Sequence, residues 1–372
     1  MPPTINTNAT SLHSELVSTD APKDLTAFSC PVPLPAGERI LLGHGSGGKL
    51  SADLLQQIFL PALGNPVLDR LEDQAIVSIN GSSTRFAVTT DSFVVKPLFF
   101  RGGDIGSLAV HGTINDLAMG GATPLWLTAA FILEEGLPLD TLKRVVNSMR
   151  EAATHAGVPI ITGDTKVVEK GSADGLFINT TGIGQVRDGI LLSASQAQPG
   201  DVILVSGFLG DHGIAILAER EGLQFETQVV SDSAALHELV ATLLDATHEI
   251  RCLRDPTRGG LSSTLNEIAA CSRVGMELDE TSIPVREEVR GACEMLGLDP
   301  LYVANEGKLV AVVAPHAAQT ALRALRNHPL GKYAAIIGRV LSDHPRMVVM
   351  RTPFGTTRIV DMLAGDQLPR IC

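Results

Sequence analysis

The sequence predicts an α+β protein made of two α/β halves of similar size, each a sheet with helices on one side. Short apolar strands alternate with longer helical patterns between residues 39 and 186. The same alternation restarts after Pro199-Gly200 and continues to residue 351. With 372 residues, of which 44% are hydrophobic, the chain is long enough and apolar enough for two packed cores.

Four segments follow from this pattern. Residues 1–36 mix Ser, Thr, Asn and Pro without periodicity, and are predicted to be a flexible extension that includes Cys30. Residues 37–190 and 199–351 are the predicted N-terminal and C-terminal domains, and residues 352–372 are predicted to be a mobile tail.

The first half carries clear local signals. Asp104 is a good N-cap before a long helical pattern, and Asn80-Gly81 favours a hairpin turn. The predicted elements are, in order, a strand at 39–42, a helix at 50–58, hairpin strands at 75–79 and 84–90, a helix at 104–119, a strand at 125–133, a helix at 140–156, and strands at 158–162 and 176–186.

The second half repeats the mixture of strands and helices. Its predicted elements are a strand at 202–206, helices at 211–221 and 233–246, a helix after Asp255, a strand at 308–314, a helix at 317–326, and strands at 335–341 and 347–351.

Composition narrows the possible functions. The chain has 41 acidic and 29 basic residues and a net charge of -12, so we expect neither nucleic acid nor a membrane as partner. No apolar run reaches the length of a membrane span, and the start of the chain lacks the pattern of a signal peptide, which predicts a cytoplasmic protein. The five cysteines never form a C-x-x-C pair, which disfavours a disulfide framework or a zinc site.

A glycine-rich loop precedes the first predicted helix. It reads Gly43-His44-Gly45-Ser46-Gly47-Gly48-Lys49, and backbone N–H groups of such a loop can surround a phosphate while a lysine adds positive charge. The spacing is close to that of a P-loop, but Leu50 replaces the Ser or Thr that would hold Mg²⁺. A phosphate cradle and a plain tight turn both remain open at this point.

Aspartates follow or precede several predicted strands. Asp91 ends the strand at 84–90, Asp164 follows the strand at 158–162, Asp255 follows a short apolar run, and Asp73 precedes the strand at 75–79. Asp116 joins them on an otherwise apolar helix. Carboxylates gathered at one edge repel each other unless a cation intervenes, and oxygen ligands suit Mg²⁺. The pattern predicts a site for Mg²⁺ and a nucleotide.

The last residue, Cys372, is a thiol without an evident packing role. A frayed end is one explanation. Prenylation is another, but a C-a-a-X box needs three residues after the cysteine, and the preceding tail has no polybasic patch. A third is a swinging arm that carries a chemical group into an active site.

Several short motifs of the sequence together resemble those of the HypE family of carbamoyl dehydratases. The resemblance covers roughly residues 40–372, and the extension lies outside it. These motifs are Thr90-Asp91-Ser92, Gly112-Thr113-Ile114-Asn115-Asp116-Leu117-Ala118-Met119, Gly163-Asp164-Thr165-Lys166-Val167-Val168, Asp255-Pro256-Thr257-Arg258-Gly259-Gly260, Asn305-Glu306-Gly307 and Pro369-Arg370-Ile371-Cys372. The family belongs to the ATP-binding superfamily of aminoimidazole ribonucleotide synthetase and selenophosphate synthetase.

The resemblance implies a two-domain PurM-like architecture, a homodimer and a reaction. The partner carbamoyltransferase HypF places a carbamoyl group on the terminal cysteine, and ATP with Mg²⁺ then drives its dehydration to a thiocyanate. The cyanide passes to iron held by the HypC-HypD complex, for [NiFe] hydrogenases. ATP phosphorylates the amide oxygen, because hydroxide is a poor leaving group and phosphate is a good one.

The resemblance also implies roles for individual residues. Cys372 carries the group, Glu306 removes protons, and Lys166 polarises the substrate or sets the charge of the carboxylate; Lys166 as a phosphate contact and Glu306 as a turn residue stay open. The candidate metal ligands are Asp73, Asp91, Asp116 and Asp255. The candidate nucleotide-binding residues are Gly45, Gly47, Gly48, Lys49, Asp91, Asn115, Asp164, Thr165 and Arg258.

Four alternatives remain. An aminoimidazole ribonucleotide synthetase would need a ribose-phosphate site and no terminal thiol. A selenophosphate synthetase would carry a reactive cysteine beside the glycine loop, whereas the nearest one here is Cys30. A nucleotide-regulated binding module would use the tail only for docking. A P-loop NTPase would depend on Lys49 more than on Asp91 and Asp255.

Overall fold

A computed structural model describes residues 39–79, 83–222, 229–365 and 370–372. The predicted extension at 1–36, Cys30 and the Asn80-Gly81 turn lie outside these residues. No helix in the described ranges is both long and apolar enough to cross a membrane.

The helices and strands alternate as the sequence indicates. The helices are α1 Lys49–Leu54, α2 Leu60–Leu63, α3 Ile105–Met119, α4 Leu139–Ala156, α5 Asp211–Glu221, α6 His237–Ala246, α7 Gly260–Ser272, α8 Glu287–Leu296 and α9 Ala318–Asn327. The strands are β1 Ala75–Ser78, β2 Arg85–Phe93, β3 Phe99–Phe100, β4 Gly103–Asp104, β5 Ala122–Glu134, β6 Ile160–Val168, β7 Leu176–Val186, β8 Val202–Val205, β9 Ile250–Arg254, β10 Gly275–Asp279, β11 Val310–Val313, β12 Ala335–Leu341, β13 Val348–Arg351 and β14 Thr357–Ile359.

The first sheet has the strand order β1-β2-β7-β5-β6. Its strands are antiparallel except for the parallel pair of β5 and β6. Buried residues alternate along β7, so one face of the sheet packs against helices α3 and α4 while the other stays open. β6 is an edge strand, and eight of its nine residues are exposed.

The second sheet has the strand order β14-β13-β10-β12-β8-β11-β9. It is antiparallel except for the parallel pair of β10 and β13. Two mixed sheets with helices packed on them confirm the predicted α+β class. The boundaries 37–190 and 199–351 stay a prediction.

Helix α3 lies at the centre of the molecule. Ile105 and Leu108 pack in the core of the first sheet, whereas Met119 packs with Leu239 and Leu243 of α6 in the second half. A helix that is apolar on all sides is typical of a buried position. Polar residues on such a helix therefore need a specific reason to be there.

Three local predictions are wrong. Residues 42–45 form a 3-10 turn instead of a strand at 39–42, because His44 Nδ1 accepts the Leu41 N–H at 2.9 Å and exposed Ile40 and Leu42 have no pleated neighbour to pack on. Asp91 lies within β2, and Asp164 lies within β6, so neither stands beyond the end of its strand. Hydrogen bonds to the neighbouring strands carry both strands past the apolar runs that predicted them.

Six elements escaped prediction: β3, β4, β9, β10, α8 and β14. β9 and β10 are short runs in which apolar and charged residues are mixed. β14 lies inside the predicted tail, where it pairs with β13. The helix predicted at 50–58 is interrupted by a π-helical turn at 55–59 between α1 and α2.

Candidate active site

A cavity of about 230 Å³ lies between residues of the two halves. Its walls come from the segment before β1, from β2 and α3, from the loop after β9, from the loop before β11, and from the end of the chain. The lining residues are Asp73, Thr89, Thr90, Asp91, Gly112, Asp116, Asp255, Thr257, Arg258, Glu306 and Cys372.

All four predicted metal ligands line this cavity. Thr89 ties two of them together, because its hydroxyl lies 2.8 Å from Asp116 Oδ2 and 2.9 Å from the backbone oxygen of Asp73. Arg254 pairs with Asp73 on one side and with Glu267 at 2.6 Å on the other. The four aspartates are thus close together, with Asp116 on helix α3 as expected and Asp91 within strand β2. Their role as metal ligands stays a prediction.

The carboxyl groups of the cavity resist ionisation. Burial raises the pKa of Asp73 and Asp116 well above the ordinary value, and neighbouring aspartates add to the rise. The pKa of Asp91 is raised by burial, and that of Asp255 is raised to about 6 by the same cause. Packing several carboxylates together without a cation is unfavourable, so the cavity is suited to positive charge.

The cavity fits a magnesium ion that also binds phosphate. Asp73 Oδ2 is buried and has no hydrogen-bond partner among the described residues, so one acidic oxygen is available as a ligand. No three acidic, histidine or cysteine side chains of the described ranges form a ready-made metal cage. Mg²⁺ is commonly held by one or two carboxylates together with substrate phosphates and water, and this arrangement matches the cavity.

Glu306 is fixed through its backbone. Its N–H donates to Asp232 Oδ1 at 3.1 Å, and its carbonyl accepts from Asn115 Nδ2 at 3.3 Å. Asp232 is itself held by Lys308 at 3.0 Å. Asn115, a predicted nucleotide contact, does not line the cavity, because both ends of its amide bind backbone groups at 234, 236 and 306.

The Glu306 carboxyl is 3% exposed, and burial followed by the charges of Asp255 and Asp91 raises its pKa well above the ordinary value. Its Oε1 atom is buried without a hydrogen-bond partner among the described residues. The group therefore rests as an acid and becomes a strong base once it has lost its proton.

Cys372 reaches this carboxyl from the end of the chain. The Val94 N–H donates to the Cys372 carbonyl, and the Lys96 N–H donates to the Arg370 carbonyl, each at 3.1 Å. Arg370 and Lys96 both pair with Asp174. Burial raises the pKa of the Cys372 thiol, which is hydrogen-bonded to Glu306, while Arg258 opposes the rise. The thiol stays protonated in this position.

The glycine loop, residues 43–49, packs against residues 361–365, which we call the root of the tail. The Lys49 N–H donates to the Leu363 carbonyl at 2.9 Å, and Lys49 Nζ lies 2.6 Å from Asp361. A Cβ atom on Gly48 would stand 2.2 Å from the Leu363 oxygen, and one on Gly47 would meet the backbone of Arg258. Arg258 also donates to the Gly45 carbonyl at 3.2 Å. The glycines thus permit a close backbone approach, and their role as a phosphate cradle stays a prediction.

Asp164, Thr165 and Lys166 lie apart from this cavity. The register across the sheet runs from Asp91 through β7 and β5 to Gly163, a separation of three strands or about 14 Å. Lys166 pairs with Asp164 at 2.7 Å, and both side chains are exposed. Asp164 and Lys166 stand next to Ala130 and Ile132 on the open face, whereas Asp91 faces α3. One chain does not bring Lys166 to Cys372.

Asp164 and Thr165 instead help to line a larger cavity of about 980 Å³ between β6 and α4. Its remaining wall comes from α4, from β5 and from the loop that leads into β6. It is therefore separate from the acidic cavity.

Some site residues escaped prediction. Thr89 lines the cavity from strand β2, where nothing in the local pattern distinguishes it from a packing residue. Gly112 begins one of the motifs that carry the family resemblance and could have been selected. Thr257 lies in the motif at 255–260, beside Arg258, and could have been selected as a phosphate contact. Asp232 is an isolated acid in a polar stretch, and only the fold brings it beneath Glu306.

Two family models match this chain. Residues 71–186 match the N-terminal domain of AIR synthase related proteins, and residues 198–350 match the C-terminal domain. The two matches bear out the PurM-like architecture.

Relatives and solved structures cover most of the chain. Carbamoyl dehydratase HypE of Azotobacter vinelandii is 60% identical over 329 residues, which is 88% of this chain and 96% of the relative. A crystal structure of a HypE-HypF complex has a TM-score of 0.79 at 50% identity, covering 83% of this chain and 99% of the other. A structure of HypE in complex with ATP has a TM-score of 0.76 at 51% identity, covering 90% and 100%.

Proposed function

This chain belongs to the carbamoyl dehydratase HypE family, and from that premise we propose that it dehydrates a carbamoyl group carried on Cys372 to a thiocyanate with the use of ATP. The observation that carries the proposal is the contact between the Cys372 thiol and the buried Glu306 carboxyl, inside a cavity lined by four aspartates. The chain end lies beside a base, in an acidic cavity that can bind Mg²⁺ and phosphate. This arrangement is suited to chemistry on the thiol itself.

The reaction removes oxygen from an amide. The carbonyl oxygen of the S-carbamoyl group attacks the γ-phosphorus of ATP, and ADP leaves. The C–O bond then breaks, so that the oxygen departs with phosphate, while the nitrogen loses both protons and the C≡N bond forms. The products are the S-cyano cysteine, ADP and phosphate, so all atoms are accounted for.

Each charged residue of the cavity has a task in this scheme. Glu306 accepts a proton from the nitrogen, because it already touches the atom that bears the group. Arg258, which lines the cavity beside Asp91 and Glu306, supplies positive charge to the transferred phosphoryl group. Mg²⁺ held by Asp73, Asp91, Asp116 or Asp255 would neutralise charge on the triphosphate.

The nucleotide needs more room than this cavity gives. A volume of about 230 Å³ lies below the roughly 300 Å³ at which pockets for small molecules begin. We therefore assign to it the phosphate end of ATP and the carbamoyl group. Gly45 and Gly47 lie next to Arg258, so the loop that they share with Gly48 and Lys49 is a candidate surface for the remainder.

We propose a homodimer formed through the first sheet. The open face exposes Trp126 and Ile132, and the edge strand β6 exposes Ile161 and Val167. An unpaired edge with apolar side chains favours pairing with a second copy. A second copy would also give Lys166 a role. Lys166 does not reach the cavity of its own chain, so it can be catalytic only in the cavity of the second copy.

Two partners complete the proposal. The likeness to a solved HypE-HypF complex supports HypF as the carbamoyltransferase that loads Cys372. The HypC-HypD complex is the proposed acceptor of the cyanide. A cytoplasmic location suits the reduced state of the thiol and the use of ATP.

The test follows the mass of the C-terminal peptide. The full chain is incubated with HypF and carbamoyl phosphate, and Mg-ATP is added afterwards. We expect a carbamoyl adduct on Cys372 that loses one water only after the second addition, and no adduct on Cys372→Ser. An adduct that forms but never loses water would reduce the protein to a carrier, and the absence of an adduct on the wild-type chain would refute the proposal.

A further inference from the structure

The carbonyl of Ile371 points away from the strand that holds the tail. Val95 and Ile371 form an antiparallel bridge in which the hydrogen bonds come from residues 94 and 96 to residues 372 and 370. The groups of Ile371 itself therefore face the other side, as alternate residues do in an antiparallel pair. Ile371 is 5% exposed, so its carbonyl needs a protein partner.

That partner is His212 of helix α5. Its Nε2 atom lies 2.7 Å from the Ile371 oxygen, and its ring is fully buried, edge-on to Phe100 at a centroid distance of 5.5 Å. A carbonyl can only accept, so the Nε2 atom must carry the hydrogen. His212 does not line the acidic cavity and cannot touch the reacting atoms.

Two serines fix the other side of the ring. Ser231 Oγ lies 2.8 Å from Nδ1 and accepts the Ser233 N–H at 3.1 Å, which leaves the Ser231 hydroxyl hydrogen for Nδ1. Burial lowers the pKa of His212, so the ring is neutral, in agreement with one donor and one acceptor nitrogen. The hydrogen bonds run in a single direction, from Ser233 through Ser231 and His212 to Ile371.

We propose that His212 is a positioning residue for dehydration, which holds the Ile371 carbonyl and thereby directs the neighbouring Cys372 side chain at Glu306. The bond exists only while the tail is docked. The docked thiol lies buried in the cavity, so a partner protein would need the tail to leave it before loading. We therefore expect His212 to act on the second half of the cycle and not on the first. This inference rests on the proposed function.

The main variants are His212→Leu, which removes the donor, and His212→Gln, which keeps an N–H donor of similar reach. His111→Leu is the matched control, because His111 is a half-buried histidine that bonds Ser233 in the same segment and has no bond to the described residues of the tail. Carbamoyl loading by HypF and water loss after Mg-ATP are measured separately on the C-terminal peptide.

We expect His212→Leu to slow water loss about tenfold, the effect of one lost hydrogen bond, with loading unchanged. His212→Gln should recover most of the rate, and His111→Leu should match the wild type. Equal slowing of loading and water loss, or no slowing at all, would overturn the proposal. Should His212→Leu fail to fold, Ser231→Ala is expected to act in the same direction with a smaller effect.

A second readout is independent of the carbamoyl chemistry. The rate at which iodoacetamide alkylates Cys372, followed on its own peptide, reports the undocked fraction of the tail. We expect about a tenfold faster rate in His212→Leu than in the wild type. If the wild-type chain loads but never dehydrates while this rate still rises, the proposed function fails and the docking role of His212 stands. An unchanged rate refutes that role.

Discussion

The environment of Glu306 determines when this side chain can act as a base. It is buried, it touches the Cys372 thiol, and the charges of Asp255 and Asp91 raise its pKa. A cation bound to those aspartates would remove part of that repulsion and favour ionisation of the carboxyl. In the proposed mechanism, Glu306 would thus become a base when the rest of the substrate is in place.

Glu306→Gln should separate binding from chemistry. The amide keeps the shape of the side chain but cannot take a proton, so we expect water loss to slow by at least about 100-fold while loading of Cys372 is retained. The C-terminal peptide assay measures both steps. Glu151→Gln, an exposed change on α4, is the control. A Glu306→Gln protein that dehydrates at the normal rate would assign the base to another residue.

Asp255 should make the free protein less stable as the pH rises. Its pKa is raised in the folded state to about 6 from 3.8, so the protonated form is the one that folding favours. The stabilisation is complete below pH 3.8 and is lost as the pH rises through about 6, a change on the order of 3 kcal/mol in the free energy of unfolding. Urea unfolding of the wild type and of Asp255→Asn between pH 4 and pH 7.5 measures it.

The difference between the two proteins should disappear when the cavity is filled. Mg-ATP is expected to stabilise the wild type more at pH 7.5 than at pH 5, because only ionised carboxylates bind the metal. Asp53→Asn, an exposed change on α1, should leave the pH slope as it is. An identical slope in Asp255→Asn and the wild type would contradict the assignment of the raised pKa.

Sequence reasoning identified the residues whose chemistry is evident from type and spacing. Four aspartates, Glu306 and Cys372 meet in one cavity. The pattern of glycines and strands indicated the aspartates, whereas the resemblance to a known family implied Glu306 and Cys372. His212 and Asp232 could not be found in this way, since each acts through a backbone group far away in the chain. Contacts of that kind are created by the fold and leave no local pattern.

Among the elements, the glycine loop and the root of the tail form one packed unit. Residues 46, 48 and 49 contact residues 361, 363 and 365 through backbone and side-chain bonds. The φ and ψ angles of Gly48 are -110° and -156°, which any residue can adopt. The requirement for glycine there is one of space.

Gly48→Ala and Gly45→Ala provide a matched pair. A Cβ on Gly48 would stand 2.2 Å from the Leu363 oxygen, whereas a Cβ on Gly45 would meet nothing within 4 Å. We expect Gly48→Ala to lower the melting temperature and to expose residues 361–365 to limited proteolysis, and Gly45→Ala to do neither. Equal behaviour of the two variants would show that the loop and the tail root do not depend on each other.

Strongly patterned elements were predictable, and short ones were not. Helix α3 begins after its N-cap Asp104 and ends at Met119, as its sequence indicates. The apolar run at 39–42 led to a wrong strand prediction, because a strand needs a neighbouring strand to pair with. A local hydrogen bond from the Leu41 N–H to His44 stabilises a turn instead. β6 extends to Val168 because pairing with β5 outweighs the weak strand signal of Gly163 and Asp164.

The molecule as a whole separates its proposed catalytic residues onto two faces of one sheet. Asp91 faces α3 and the cavity, whereas Lys166 lies on the open face and three strands away. A rotation of side chains cannot bridge that separation. The residue types suggested that Asp91 and Lys166 belong to one site. The distance between them could be known only from the register of the sheet.

Mixed dimers test whether Lys166 acts across an interface. Chains with Lys166→Ala and chains with Cys372→Ser are inactive alone in this scheme, but a dimer of one of each would pair an intact Lys166 with an intact Cys372 across the interface. We expect purified mixed dimers to dehydrate the carbamoyl group at one site in place of two. Inactive mixed dimers would mean that Lys166 serves its own chain, and a monomeric wild type in sedimentation would refute the dimer.

The attachment of residues 357–365 sets a working radius for the terminal thiol. β14 pairs with β13, and Lys49 and Ser46 hold Leu363 and Gly365. If these anchors persist while the thiol is loaded, only residues 366–372 form the tether, with a contour length of about 24 Å. The catalytic pocket of the carbamoyltransferase must then come within that radius of Gly365. Docking of the two proteins thus has a geometric limit that a crosslinker of known length can measure.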